Sequence, residues 1–234
     1  MSPPAPVTVI VGGTSGIGRS LAQRLAGDGR PVLITGRDGE RAAAVAAEIG
    51  GQTTAVALDL CAPTSIESAL VDVEAVDHLV LMAIERDSNS VREYNVERAI
   101  RLATLKLVGY TEVLHRLHAR MHDGSSALLF GGLAKDRPYP GSTTVTAVNG
   151  AVSTMVRTFA TELAPIRVNA IHPGIVGDSP AWINASEMLE SVVARTPTRR
   201  LVTMDDVVDA ALFLLRNRSV NGVNLAVDAG WMIL

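Results

Sequence analysis

The first residues that could carry chemistry form a glycine-rich turn near the start of the chain. The segment Gly12-Gly13-Thr14-Ser15-Gly16-Ile17-Gly18 follows the apolar run Val7–Val11 and precedes a stretch with helical spacing. Glycines let the backbone approach a ligand closely, and a helix N-terminus presents free N–H groups with a partial positive charge. A strand, such a turn and a helix in succession predict a pyrophosphate site for a dinucleotide. The expected contacts are Gly12, Thr14, Ser15, Gly16, Ile17 and Gly18.

The end of the second apolar run indicates which dinucleotide would bind. At this position a carboxylate binds a free ribose 2′-hydroxyl, whereas an arginine binds a 2′-phosphate. The run ends in Ile34-Thr35-Gly36-Arg37, and Asp38 follows at once. Asp38 could serve NAD, but an aspartate that opens a helix is as easily an N-cap. Arg37 therefore favours NADP(H), with Thr35 and Arg19 as expected neighbours.

Histidines offer a second kind of chemistry, metal binding. His115, His118 and His122 recur at spacings that place them on one face of a helix. They lie in a charged segment near a predicted helix end, where histidine interacts favourably with the helix dipole and solvent. Because metal ligands need further partners that this segment does not show, we predict no metal site. We expect His172 to be neutral and packed under the cofactor, with a general acid as the alternative.

The elements that must position these residues alternate along the whole chain. Short apolar runs predict strands over Val7–Val11, Val32–Thr35, Thr54–Leu58, His78–Ile84, Ala127–Phe130, Ile166–Ile171 and Val223–Val227. Stretches with helical spacing cover Arg19–Ala26, Glu40–Ile49, Ser65–Val71, Tyr94–Met121, Val145–Leu163 and Asp205–Arg216. This alternation predicts a parallel sheet covered on both faces, which is a doubly wound, Rossmann-type α/β fold. No linker is visible, so we expect a single domain over residues 1–234.

Composition narrows the class of protein. A net charge of −3, without a dense Lys/Arg face, argues against nucleic acid as a partner. No apolar run is long enough for a membrane helix, so we expect no membrane partner. Cys61 is the only cysteine, which excludes an intrachain disulfide and fits a reducing compartment. Met1–Pro6 has no signal-peptide pattern, and we therefore expect a cytoplasmic protein.

The turn glycines Gly12, Gly16 and Gly18 have the spacing G-x-x-x-G-x-G, which resembles the short-chain dehydrogenase/reductase family. The resemblance covers nearly the whole chain. Asp59-Leu60 resembles the family's adenine contact, and Pro165-Ile166-Arg167-Val168-Asn169-Ala170-Ile171-His172-Pro173-Gly174 resembles the segment that enters its nicotinamide pocket. The resemblance implies a nicotinamide-dependent oxidoreductase. It adds expected cofactor contacts at Asp59, Leu60, Ala83, Pro173, Gly174 and Val176.

The family's acid–base residues are not matched. The family uses a Tyr-x-x-x-Lys pair and a serine to move the proton while hydride is transferred. The resemblance places Val145 at the tyrosine, Asn149 at the lysine and Gly132 at the serine. The chain has two lysines, Lys106 and Lys135, and neither follows a tyrosine by four residues. The resemblance therefore implies a divergent member of the family with an atypical active site.

Three residues are candidates for the replaced chemistry. Lys106 stands where the family has an active-site asparagine, and desolvation there would lower its pKa and make it an acid. A solvated or interface lysine is the alternative. Tyr139, in a Pro-rich loop, could donate to a substrate oxygen or simply pack. Asn149 could bind the nicotinamide ribose, although it cannot lower the pKa of a phenol.

Residues 177–200 occupy the place of the family's substrate-covering segment. Trp182 and Met188 in this segment predict an apolar lid and a mostly apolar or aromatic substrate, with helix packing as the alternative. The family resemblance, two long apolar helices and the apolar C-terminus Trp231–Leu234 imply a homo-oligomer, a tetramer rather than a dimer.

Three functions fit these residues. The first is an NADP(H)-dependent oxidoreductase that reduces a carbonyl of a small organic or biosynthetic intermediate with a non-standard proton donor. The second is a non-redox enzyme, such as a cyclase, isomerase or dehydratase, on the same scaffold. The third is a non-catalytic NADP(H)-binding protein. The resemblance to an oxidoreductase family along the whole chain favours the first.

Overall fold

The predicted strands form one parallel sheet in the computed structural model, which describes residues 5–233. The strands are β1 Val7–Val11, β2 Val32–Gly36, β3 Thr53–Ala57, β4 Val76–Leu81, β5 Met121–Phe130, β6 Arg167–Pro173 and β7 Asn224–Val227. Their order is β3-β2-β1-β4-β5-β6-β7, and all neighbours are parallel. The order reverses between β1 and β4, which opens a crevice at their carboxyl ends. The expectations about Met1–Pro4 and Leu234 concern residues outside the described range.

Helices cover both faces of this sheet. They are α1 Gly16–Gly27, α2 Gly39–Ile49, α3 Ile66–Ala69, α4 Val96–Ala103, α5 Tyr110–Leu117, α6 Thr143–Glu162, α7 Ser186–Arg195 and α8 Met204–Arg216. Alternate strand residues point to opposite faces, so Leu79 and Leu81 pack towards α3, α5 and α6. Val80, between them, packs towards α1, α2 and α8. The Rossmann-type α/β fold is therefore confirmed.

Some boundaries differ from the sequence-based expectation. The predicted helix Tyr94–Met121 begins at Val96 and ends at Leu117, and Met121 opens β5 instead. The first residues of β5 were missed because they are polar and partly exposed, without an apolar alternation. Strand β4 ends at Leu81 rather than Ile84, because the chain leaves the sheet there and Ile84 is exposed.

A π-helical turn over Thr104–Gly109 joins α4 to α5. Such turns are rare and occur often at functional sites. This one contains Lys106 and turns its side chain into the protein interior, where it is 1% exposed. No helix of residues 5–233 is both long and apolar enough to cross a membrane.

Candidate active site

A cavity of about 940 Å³ lies at the carboxyl ends of the strands. It follows the crevice between β1 and β4, where doubly wound folds place their ligands. Every residue predicted to contact the cofactor lines this cavity. These residues are Gly12, Thr14, Ser15, Gly16, Ile17, Gly18, Arg37, Asp59, Leu60, Ala83, Pro173, Gly174 and Val176. The structure thus brings together positions that are up to 164 residues apart in the chain.

At two glycines of the turn, an added Cβ would collide with backbone atoms. Gly12 has φ of +95°, and a Cβ there would lie 2.8 Å from the backbone of Ala83. A Cβ on Gly18 would lie 2.2 Å from the carbonyl oxygen of Gly12 and 2.7 Å from the sulfur of Met82. The absence of a Cβ at both positions lets α1 lie close to β1 and β4, and the N-terminus of α1 lines the cavity.

The N-terminus of α1 is suited to an anion. The N-cap Ser15 makes no side-chain capping bond, and the first turn contains no acidic residue. The first N–H groups of a helix have no partner within the helix, and the helix dipole adds a partial positive charge. Arg19 does not extend this site, because its guanidinium pairs with Glu48 at 2.7 Å outside the cavity lining.

Three charged residues of the cavity lie at the end of β2 and the start of α2. Asp38 is the N-cap of α2, and its carboxylate accepts the N–H of Arg41 at 3.0 Å. Arg37 is left with a largely exposed side chain, and its Nη1 lies 3.5 Å from a carboxylate oxygen of Glu85. Arg37 and Arg41 both line the cavity and could bind a phosphate dianion there.

Lys106 and Tyr110 form a buried pair behind the cavity wall. The Lys106 Nζ donates to the carbonyl of Phe130 at 2.6 Å and to the hydroxyl of Tyr110 at 2.8 Å. Tyr110 in turn donates to the carbonyl of Ala83 at 2.8 Å. Burial lowers the pKa of Lys106 to about 7 and raises the pKa of Tyr110 well above its usual value.

The expectation that Lys106 faces the cleft is therefore not met, because its ammonium group is enclosed by main-chain carbonyls and a phenol. Within the described residues it does not line the cavity. Its bonds instead tie the carboxyl ends of β4 and β5 together, and Ala83 and Phe130 at those ends do line the cavity. A solvated lysine is excluded as well.

The wall expected to carry the acid–base residues is built by the start of α6 and the end of β5. Val145 and Asn149 line the cavity together with Gly132. A Cβ on Gly132 would lie 2.9 Å from the Asn149 amide nitrogen, so this amide fills the space in front of Gly132. Asn149 is 4% exposed, and its amide donates no hydrogen bond to any residue between 5 and 233. The amide is therefore available to a ligand in the cavity.

Tyr139 also lines the cavity, on the loop that precedes α6. Its side chain is 54% exposed, and its backbone N–H donates to the Ser142 hydroxyl at 3.0 Å. The same hydroxyl lies 3.0 Å from that of Thr146, which donates to the carbonyl of Ala134. Ser142 and Thr146 thus hold the Tyr139 loop in place and do not themselves line the cavity.

His172 is neutral and packed, which is the simpler of its two expected roles. Its Nδ1 accepts the N–H of Gly132 at 3.1 Å, and its Nε2 lies 2.8 Å from the Asn224 side-chain oxygen. Burial lowers the pKa of His172. With one ring nitrogen accepting and the other donating, His172 supports the wall under Gly132.

The predicted histidine cluster does not gather around a common point. His118 Nδ1 lies 2.7 Å from the carbonyl oxygen of His115, and His122 Nε2 lies 3.4 Å from Asp77. Across residues 5–233, no group of three or more His, Cys, Asp or Glu side chains is arranged to hold a metal ion.

The predicted substrate-covering segment contains α7, a helix that the sequence did not indicate. Trp182, Met188 and Val192 of this segment line the cavity. The C-terminal Trp231 lines it too, under the guanidinium of Arg137 at 4.4 Å from the ring centroid. Within its own chain, Trp231 thus packs against Arg137.

Two charged residues of the loop after β4 were not singled out from the sequence. Glu85 lines the cavity beside Arg37. Arg86 donates to the carbonyl of Ala181 at 2.8 Å and lies 4.8 Å from the Trp182 ring centroid. Their only sequence signal is charge directly after a buried strand, which many exposed loops share.

Known proteins resemble the chain over its whole length. A family model described as enoyl-(acyl carrier protein) reductase matches residues 11–232. The 3-oxoacyl-(acyl-carrier-protein) reductase of Aquifex aeolicus (strain VF5) is 30% identical over 226 residues, 89% of either chain. A solved short chain dehydrogenase/reductase family protein is 30% identical, with a TM-score of 0.86 over 100% of both chains. A blue fluorescent protein from a metagenomic library, solved in complex with NADPH, is 26% identical, with a TM-score of 0.88 over 99% of both chains.

Proposed function

Because the chain belongs to the short-chain dehydrogenase/reductase family, we propose that it is an NADP(H)-dependent oxidoreductase that reduces a carbonyl group of a small organic molecule. The observation that carries this proposal is one continuous cavity. Its lining runs from the glycine turn and Arg37 to Tyr139 and Asn149. A solved relative holds NADPH, which supports the same choice of cofactor.

The residues at the glycine-turn end of the cavity fit the cofactor. The N-terminus of α1 would bind the pyrophosphate, and the Gly12–Gly18 turn gives it space that a Cβ would fill. Arg37 and Arg41 would bind the 2′-phosphate. Asn149 would hold the nicotinamide ribose. The bound cofactor supplies a hydride to the carbonyl carbon.

We assign to Tyr139 the donation of the proton that the carbonyl oxygen needs when the carbonyl carbon receives the hydride. As the carbonyl oxygen gains negative charge, the phenol donates its proton to that oxygen and an alcohol is formed. The phenolate recovers a proton from solvent, to which this side chain is open. Lys106 acts as a positioning residue, because its bonds fix the strand ends behind the reacting groups. Trp182 and Met188 exclude water and favour an apolar substrate.

The test is NADPH oxidation by the purified protein with a panel of small carbonyl compounds. Tyr139→Phe should lower kcat about a hundredfold, as expected for loss of a positioned acid, with the Kd for NADPH unchanged. Tyr94→Phe is the matched control, since Tyr94 is similarly exposed and lies outside the cavity lining. Equal loss in both variants, or no loss in Tyr139→Phe, would remove Tyr139 from the mechanism.

A binding protein without turnover is the second candidate. It is favoured by Val145 and Gly132, which present no hydroxyl to the cavity at the positions of the family's tyrosine and serine. This candidate predicts NADPH binding without oxidation by any carbonyl of the panel. A non-redox enzyme on the same scaffold would instead convert a substrate while NADPH absorbance stays constant.

We further propose that the protein is a homo-oligomer. Leu107, Met155 and Phe159 line a groove between the π-helical turn and α6, and Val108 nearby is 52% exposed. Apolar residues of this kind on two long neighbouring helices favour association with a second copy. Sedimentation velocity of the purified protein tests the assignment.

A further inference from the structure

An acidic residue lies in the basic end of the cavity. One carboxylate oxygen of Glu85 is 3.5 Å from Arg37 Nη1, and the other is 2.7 Å from Arg101 Nε. We propose that Glu85 is the second half of the cofactor discriminator. It accepts a hydrogen bond from the free 2′-hydroxyl of NAD(H) and opposes the 2′-phosphate of NADP(H). This inference rests on the proposed function, because it requires a nicotinamide dinucleotide in the cavity.

Three acidic side chains line the cavity within the described residues, and two of them are engaged by backbone. Asp38 accepts the N–H of Arg41, and Asp59 accepts the N–H of Cys61 at 2.9 Å. Glu85 has no such backbone bond, and its contact with Arg37 is at the limit of a hydrogen bond. Asp38 is oriented by its capping bond to α2, whereas Glu85 faces the exposed guanidinium of Arg37, and we therefore assign to Glu85 the carboxylate that the family rule places at the end of the second strand.

The two arginines beside Glu85 differ in how firmly they hold it. Arg101 sits on α4 and makes a short bond to Glu85, which raises the pKa of Arg101. Arg37 is 64% exposed at its side chain and makes the longer contact, which is a weak surface pair. A phosphate dianion would bind Arg37 more strongly than Glu85 does and would replace Glu85 as its partner. Glu85 would then stay on Arg101, with its charge next to the phosphate.

The sign of the effect follows from charge. Replacing Glu85 by glutamine removes one negative charge from the site of a dianion, and this strengthens 2′-phosphate binding. For a 2′-hydroxyl the same change replaces a charged acceptor by a neutral one, which weakens the hydrogen bond. Glu85→Gln therefore shifts the affinities for NADPH and NADH in opposite directions, which a general loss of structure would not do.

The experiment measures Kd for NADPH, NADH, adenosine 2′,5′-bisphosphate and AMP with the full-length wild-type protein and Glu85→Gln. We expect Glu85→Gln to bind NADPH and the bisphosphate about three- to tenfold more tightly, with the gain reduced at 0.5 M salt. NADH and AMP should bind about twofold more weakly. Glu93→Gln is the control, because it removes the same charge from the same loop outside the cavity lining, and it should change each Kd less than twofold.

A second variant separates this inference from the proposed function. Arg37→Asp should weaken NADPH binding at least about tenfold and make NADH the preferred cofactor. Wild-type protein that binds neither dinucleotide overturns the proposed function. Equal wild-type affinity for NADPH and NADH overturns the role given to Arg37. If the wild-type protein prefers NADPH and the ratio of the Kd values for NADPH and NADH is the same in Glu85→Gln, only the role of Glu85 is overturned.

Discussion

The two ends of the cavity are built from different kinds of atoms. Around the N-terminus of α1, the wall is mainly backbone: a helix N-terminus and a turn in which a Cβ on Gly18 would lie 2.2 Å from a main-chain oxygen. At the other end, the wall consists of the side chains of Tyr139, Val145 and Asn149. A backbone site changes only if the turn changes, whereas a side-chain site can be replaced one residue at a time. Binding and reaction can therefore diverge separately on one fold.

The comparison predicts that the backbone around the N-terminus of α1 has no room for a Cβ at Gly18, and Gly18→Ala tests this with the largest effect. The new Cβ would collide with Gly12 and Met82, so we expect a loss of about 3 kcal/mol in the free energy of unfolding. The turn would shift with it, and NADPH binding should weaken at least about a hundredfold. Urea unfolding and fluorescence titration measure the two effects.

Gly27→Ala is the matched control in the same helix. A Cβ on Gly27 would meet nothing within 4 Å, and alanine is the better helix former, so stability should rise by about 0.5 kcal/mol. NADPH affinity should not change. If Gly18→Ala behaved like Gly27→Ala, the turn would not be the rigid backbone site that its contacts indicate.

The same division explains what could be predicted from the sequence. The strand, the turn and the helix at Val7–Gly27 were predictable because glycine spacing and apolar runs depend on local backbone geometry. The family resemblance then implied the remaining cofactor contacts, and all of these residues line one cavity. Of the two roles that the sequence allows for Asp38, the structure shows the helix cap.

The residues that were missed depend on long-range packing. The side chain of Lys106 turns away from the cleft because a π-helical turn rotates it towards the Phe130 carbonyl, and no local sequence signal marks that turn. Glu85 pairs with Arg37 from a strand two positions away in the sheet. Helix α7 was missed because its residues are mostly exposed and give only a weak apolar pattern.

Lys106→Met tests the side-chain end of the cavity through the pH dependence of the free energy of unfolding. The folded-state pKa of Lys106 is about 7, against about 10.4 for an unfolded lysine. Between these values the unfolded chain binds a proton that the folded protein does not. This residue therefore makes stability fall by about 1.4 kcal/mol per pH unit as pH drops from 10 to 7, and makes no further difference below pH 7. Lys106→Met should remove that slope in urea unfolding at pH 7, 8 and 9.

Lys135→Met is the control for this slope, because Lys135 pairs with Asp136 at the surface and is not buried. The slope of wild type should persist in Lys135→Met. Turnover should also fall much more than NADPH affinity in Lys106→Met, since the buried amine holds the strand ends behind the reacting groups. Unchanged turnover would make Lys106 purely structural and would leave the chemistry to groups that line the cavity.

Arg86→Ala tests the link between the two ends and should have the smallest effect. Arg86 follows Glu85 of the basic end, yet its guanidinium binds the Ala181 carbonyl and covers the Trp182 ring of the lid. One hydrogen bond and one exposed cation–π contact contribute about 1 kcal/mol each at most. Their loss should raise KM for the carbonyl about three- to tenfold with kcat nearly unchanged. Arg92→Ala, in the same loop but without the contacts to Ala181 and Trp182 that Arg86 makes, should leave KM unchanged. If both variants behaved alike, the lid would be held by α7 alone, and the two ends of the cavity would act independently.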